Sequence, residues 1–163
     1  MYFKITNCFL ITDWSDPEIV FNYAIWFENV SNAIISNNTI KYSYLGVKIN
    51  GCSNITFENN FLRLHIDGMD LSSSTNIQII NNTLSKIGHE AISLQSSEYN
   101  IISGNTILET WGFTEPVPFN GTGIYIQASS KSNISKNTII DTEGDGIRLL
   151  NSRELMIFEN IIT

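Results

Sequence analysis

The chain has 163 residues, 42% of them hydrophobic and 15% charged, with a formal net charge of −7 and a pI near 4.7. That length suits one domain with a sizeable core. The acidic balance argues against nucleic acid and anionic membrane surfaces as partners, and no run of 18 apolar residues offers a transmembrane segment.

Residues 1–12 are apolar but lack a basic leader and a small-residue cleavage site, so they read as part of the fold and not as a signal peptide. Within them, Cys8-Phe9-Leu10 starts a pattern. It recurs, with Asn for Cys, as Asn38-Thr39-Ile40, Asn60-Phe61-Leu62, Asn82-Thr83-Leu84, Asn105-Thr106-Ile107, Asn137-Thr138-Ile139 and Asn160-Ile161-Ile162. The Asn positions are 22, 22, 23, 32 and 23 residues apart. A fixed period of this size marks a repeat architecture.

Each unit carries three short strands. The first begins at Ala24-Ile25-Trp26-Phe27 and recurs at Gly46-Val47-Lys48-Ile49, Gly68-Met69-Asp70-Leu71, Ala91-Ile92-Ser93-Leu94, Gly123-Ile124-Tyr125-Ile126 and Gly146-Ile147-Arg148-Leu149. Its period of two predicts one buried face. After a Ser- and Asn-rich corner comes a second strand, around Ile35, Phe57, Ile79, Ile102, Ile134 and Ile157. The Asn corner follows, then a third strand anchored by Ile40, Leu62, Leu84, Ile107, Ile139 and Ile162. About 22 residues leave no room for helices between strands, so the units are expected to stack as an all-β parallel solenoid of six to seven coils, about 4.8 Å per rung. Residues 1–163 read as a single domain. The Asn column is expected to hydrogen-bond along the coil axis and to supply turn dihedrals. Two of the six residues in the Gly/Ala column are Ala, so small size at a tight corner is expected there, not positive φ.

The motifs G-I-x-L, S-x-N-I-x-I and N-N-T-I, as in Gly68-Met69-Asp70-Leu71 and Asn76-Ile77-Gln78-Ile79-Ile80-Asn81-Asn82-Thr83-Leu84, resemble the right-handed parallel β-helix repeats of the pectate-lyase-like superfamily, nearest the NosD/CASH type of carbohydrate-binding proteins and sugar hydrolases. The resemblance covers residues 2–163. It implies a right-handed coil and a glycan partner, and it is specific for fold more than for activity. Copper binding is not expected, since two His, two Cys and three Met form no cluster of soft ligands.

Two insertions, 12–22 and 109–121, lengthen the same corner between a third strand and the next first strand. Each carries Trp, acids, Pro and Phe. They are candidate functional loops. The outward positions of the first strand form a column, Trp26, Lys48, Asp70, Ser93, Tyr125 and Arg148, and with Trp14 and Trp111 they bring all three Trp to or beside one face. In enzymes with the resembling fold, this strand and these loops build the glycan cleft. The candidate ligand-binding set is therefore Trp14, Trp26, Lys48, Ser93, Trp111, Tyr125 and Arg148. The bland alternative is that Trp14 and Trp111 only pin their own loops.

The candidate catalytic set is Asp67, Asp70, Glu90 and His89, with His65 close by. Asp67 and Glu90 occupy equivalent positions on adjacent rungs, where stacked like charges raise one pKa or bind a cation such as Ca²⁺. No cofactor is firmly implied. Asp141, Glu143 and Asp145 near Arg148 form a second acidic corner, read as solvated. Pairing of Cys8 with Cys52 is not expected, because they fall at different corners. Six N-x-S/T sequons, at Asn29, Asn37, Asn54, Asn81, Asn120 and Asn133, follow from a ladder built of Asn, Ser and Thr.

The leading expectation is a carbohydrate-binding β-helix segment of an extracellular or cell-surface protein. The alternatives are a polysaccharide-acting enzyme (hydrolase, lyase or epimerase) and a structural stalk or adhesin without ligand. The chain begins and ends within coils, so flanking domains or caps are expected beyond it.

Overall fold

A computed structural model describes residues 3–12, 22–111 and 121–163. Their strands are parallel and stack rung on rung as the repeat predicts. One face is a seven-stranded sheet of β1 (Phe3–Thr6), β4 (Ser31–Ser36), β6 (Ser53–Glu58), β8 (Thr75–Ile80), β11 (Ile101–Ser103), β14 (Asn133–Ser135) and β17 (Met156–Phe158), numbered in chain order. The first-strand stack holds β3 (Tyr23–Glu28), β10 (Glu90–Gln95), β13 (Thr122–Gln127) and β16 (Ile147–Leu150). The third-strand stack holds β2 (Phe9–Ile11), β9 (Thr83–Ile87), β12 (Thr106–Thr110), β15 (Thr138–Thr142) and β18 (Ile161–Ile162).

The sequence predicts a corner between every third strand and the next first strand. In two rungs the chain instead runs through as one long strand, β5 (Thr39–Asn50) and β7 (Phe61–Ser72), which join the two stacks into one sheet. The bend is made by single left-handed residues, Tyr42 (φ 61°) and Leu64 (φ 62°). Lys86, Glu109 and Asp141 hold the same conformation at the equivalent place.

Inward positions form continuous columns across the rungs. Ile35, Phe57, Ile79, Ile102 and Ile134 make one, and Ile40, Leu62, Leu84, Ile107 and Ile139 another. Each such side chain contributes about 1.5–3 kcal/mol by leaving water. In the final rung the column members Leu149, Ile157 and Ile162 are exposed.

The Asn ladder has a fuller geometry than the sequence suggests. Each ladder Asn Oδ1 accepts from the backbone N–H of the residue one rung earlier, from Cys8→Asn38 (2.9 Å) to Asn137→Asn160 (2.9 Å). Each Nδ2 from Asn38 to Asn137 donates to the next Oδ1 at 2.9–3.1 Å and also to a backbone carbonyl across the core, such as Ile35 for Asn60. The turn dihedral belongs to the residue before: Asn37, Asn59, Asn81, Gly104, Lys136 and Glu159 are left-handed. Asn at the ladder thus serves hydrogen bonding, while the place before it must adopt positive φ, which Asn and Gly do most readily and Lys136 and Glu159 also do.

A second ladder was not read from the sequence, although its spacing is the same. Cys52, Ser74, Ser97 and Ser129 each donate a backbone N–H to the hydroxyl of the next member, ending at Ser152, over 3.0–3.2 Å. Both Cys are free, as the sequence predicts, Cys8 exposed and Cys52 buried within this ladder.

The small-residue column behaves as expected. A Cβ on Gly46 would lie 2.6 Å from the backbone oxygen of Gly68, and Gly46, Gly68, Gly123 and Gly146 are not among the positive-φ residues. Gly46→Val is expected to destabilise by about 2–3 kcal/mol through overpacking, read as a lower urea midpoint with unchanged m-value. A wild-type midpoint would remove the close-approach explanation.

Candidate functional site

The outward column is in strict cross-rung register: Trp26 with Lys48, Lys48 with Asp70, Asp70 with Ser93, Ser93 with Tyr125, and Tyr125 with Arg148. Five rung steps make a stripe about 24 Å long. Trp26 is 58% exposed and packs against Tyr23 with ring centroids 5.3 Å apart. Lys48 and Asp70 form an ion pair. The other Asp70 oxygen, Oδ1, is buried without a hydrogen-bond partner among the described residues. Arg148 lies over the Tyr125 ring, 5.9 Å from its centroid.

Ser93 departs from the expectation of an accessible contact. It is in register but only 1% exposed. Its hydroxyl accepts from Gln95 Nε2 at 3.2 Å and is hydrogen-bonded to Glu90. A small side chain between larger outward neighbours is simply covered. The sequence reading also missed the adjoining outward column, Asn50, Ser72, Gln95 and Gln127, two residues further along the same strands. Ser72 Oγ donates to Asn50 Oδ1 (3.1 Å) and Tyr125 donates to Gln127 Oε1 (2.9 Å). The same period-two rule that found the first column identifies this one.

Trp111 sits at the root of the second insertion. With Glu109, Thr110, Asp141, Thr142 and Glu143 it lines a hollow of about 350 Å³ at the third-strand corner, off the stripe. Its backbone N–H donates to Ile87 O (3.0 Å). Trp14 and most of both insertions, 13–21 and 112–120, lie outside the described residues. In the second acidic corner, Arg148 Nε is 3.9 Å from Asp145 Oδ2 in an exposed pair.

Asp67, His89 and Glu90 do come together at the corner before the first strand, as the sequence predicts. Each offers one ligand-type atom, and these atoms lie within 4.8 Å of one another. Asp67 as a carboxylate only accepts, so His89 Nδ1–H donates to Asp67 Oδ1 at 2.9 Å. Glu90 N–H donates more weakly to the same oxygen (3.4 Å), and His89 Nε2 is 3.9 Å from Glu90 Oε1. The hydrogen bond to Asp67 raises the His89 pKa against the opposing effect of burial, with both acids adding to the rise. Burial raises the Glu90 carboxyl, and His89 and the Ser93 bond offset part of this. A paired imidazole beside a carboxyl held toward its neutral form is a proton-transfer arrangement and also a mixed nitrogen–oxygen donor set.

His65 does not belong to this group. It is 1% exposed, inside the coil. Its Nδ1 accepts from the Ser43 N–H (3.2 Å) and faces the Ser43 hydroxyl (2.7 Å), while Nε2–H donates to Ile40 O (3.1 Å). Regular alternation would put His65 and Asp67 on one face, but the period breaks between the left-handed Leu64 and Met69, and His65 turns inward.

Residues 21–163 match the family described as the right handed beta helix region. The chain belongs to that family. Within this β-helix the match covers every residue of the stripe and the acid–histidine cluster. Comparison with curated proteins returns no match. Among the described residues, no helix is long and apolar enough to cross a membrane.

Proposed function

We propose that this β-helix binds a polysaccharide along the stripe from Trp26 to Arg148, as part of an extracellular or cell-surface protein of NosD/CASH type. The observation that carries the reading is a stripe in register that starts with a largely exposed Trp and ends with Tyr125 under Arg148. Aromatic faces stack on the apolar faces of sugar rings, and the neighbouring amides of Asn50, Gln95 and Gln127 supply donors and acceptors for hydroxyls. A Trp that stays 58% exposed although Tyr23 packs against it is otherwise a cost.

The test is a glycan-array screen with and without Ca²⁺, followed by affinity measurement on each hit. Trp26→Ala and Tyr125→Ala are each expected to weaken a hit at least tenfold, about 1.4 kcal/mol. Hits unmoved by either substitution, or no hits in either condition, would leave a structural solenoid. A second reading, a hydrolase, lyase or epimerase acting on the same polysaccharide, is favoured by the Asp67–His89–Glu90 cluster beside the stripe. Product analysis on each hit separates it, and turnover lost in Asp70→Asn or Glu90→Gln would establish it.

A further inference from the structure

We infer that Asp67, His89 and Glu90 form a binding site for a divalent transition ion such as Zn²⁺ or Co²⁺. The coil itself builds the site. Parallel register sets Asp67 and Glu90 at equivalent positions on adjacent rungs, so two carboxylates stack at one corner. The backbone of the intervening corner is pinned: Gly88 N–H donates to His65 O (2.8 Å) and His89 N–H to Ile66 O (2.7 Å). His89 is thereby carried between the two acids and not out into solvent.

The distances suit a small ion. Adjacent ligands at about 2.1 Å from the ion lie about 3.0 Å apart in octahedral and about 3.4 Å apart in tetrahedral geometry. The Asp67 Oδ1 to His89 Nδ1 separation is 2.9 Å. His89 Nε2 lies 3.9 Å from Glu90 Oε1, and one ligand-type atom from each of the three side chains lies within 4.8 Å of the other two. All three side chains are half-buried, which leaves the remaining positions to water. The charges also fit. Among the described residues no Lys or Arg is paired with Asp67 or Glu90, and Lys48 is engaged by Asp70. Two carboxylates and one imidazole are then matched by a doubly charged ion better than by the single proton that His89 shares with Asp67. On binding, an imidazolium releases one proton to solvent, or a neutral ring shifts its proton to the nitrogen that does not ligate, and the ion takes the vacated lone pair.

The donor set decides the kind of ion. Imidazole nitrogen suits Zn²⁺, Co²⁺ and their neighbours, whereas Ca²⁺ takes six to eight oxygens. Nitrogen in the set therefore points away from the Ca²⁺ that Asp67 and Glu90 alone suggest. The inference does not rest on glycan binding, and its test uses the metal ions alone.

The whole chain, stripped with chelator, is titrated with Zn²⁺, Co²⁺ and Ca²⁺ by calorimetry. Co²⁺ is also followed by visible absorption and Zn²⁺ by the imidazole NMR signals of the two His. One equivalent of Zn²⁺ is expected to shift the His89 signals and not those of His65, with Ca²⁺ at least 100-fold weaker. His89→Ala is expected to cost at least 100-fold in Zn²⁺ affinity, and Glu90→Gln or Asp67→Asn at least tenfold. The β-sheet circular dichroism of each variant shows that the coil is intact, and Glu90→Gln carries the test if His89→Ala disturbs it. No saturable Zn²⁺ or Co²⁺ binding below about 1 mM, Ca²⁺ bound as tightly as Zn²⁺, or affinity unchanged in all three variants would overturn the assignment.

Discussion

Asn82→Ala is expected to destabilise the coil by about 3–5 kcal/mol. Asn82 Oδ1 accepts from the Asn60 N–H (2.9 Å) and Asn60 Nδ2 (3.0 Å). Its Nδ2 donates to Phe57 O (3.0 Å) and Asn105 Oδ1 (3.1 Å). The substitution removes all four bonds and leaves partners behind on the two flanking rungs. Each buried group left without a partner costs about 1–3 kcal/mol, less where water enters the space. Asn82→Asp separates acceptance from donation, since the carboxylate keeps the first two bonds and loses the last two while placing a charge in the interior. Asn160→Ala is expected to cost about half as much as Asn82→Ala, because its four bonds are part-buried or exposed and water replaces part of what is lost. Urea unfolding followed by circular dichroism gives these values. A cost for Asn82→Ala below about 1 kcal/mol would mean that the ladder records stacking without stabilising it. Because a solenoid couples mainly neighbouring rungs, a broadened transition would show the coil dividing at that rung.

The contrast between ladder and stripe shows what the sequence can reveal. Period two separates inward from outward residues, and period 22 to 23 places equivalents on adjacent rungs. Together they give the coil, the Asn column and the register of Trp26, Lys48, Asp70, Tyr125 and Arg148. They also bring Asp67 beside Glu90, because equivalence on neighbouring rungs is itself a statement of proximity. Exposure is a different quantity. Ser93 is outward by its period, yet its larger neighbours cover it, and no single strand pattern contains that information. The bends at Tyr42 and Leu64 were hidden for another reason: bulky side chains seldom take left-handed dihedrals, so neither residue signals a turn. Trp111 was placed on the right corner but turns to a hollow beside the third-strand stack, since a corner residue has no periodicity to fix its direction. The Ser ladder was readable and unread. Its members follow the Asn spacing, but Ser is common enough in corners for the column to pass as composition.

His65 gives the second large effect, a loss of about 3 kcal/mol of stability between pH 7 and pH 4 that His65→Gln removes. Burial pushes this imidazole from an ordinary value of 6.5 down to about 4, while its bond to the Ile40 carbonyl opposes the shift only in part. The neutral ring fits its surroundings, accepting at Nδ1 from Ser43 and donating at Nε2 to Ile40, whereas a protonated ring would set a second donor against the Ser43 N–H. The sign follows from proton uptake. Below pH 6.5 the unfolded chain protonates His65 and the folded chain does not, so unfolding gains protons and the folded state loses ground until about pH 4, where both are protonated. Two other groups act in the opposite sense. The pKa values of His89 and Glu90 are raised in the folded state. Their stabilisation is full at low pH and lost as pH rises through the folded values. The pH profile of the wild type is therefore a sum. The difference between wild type and His65→Gln isolates the buried imidazole, because the Gln amide also accepts and donates but does not titrate. Urea midpoints for both proteins at pH 7 and pH 4.5 suffice. If the two proteins lose stability in parallel on acidification, His65 is not held neutral in the core, and the acid response lies with groups other than His89 and Glu90, whose raised values stabilise the fold on acidification.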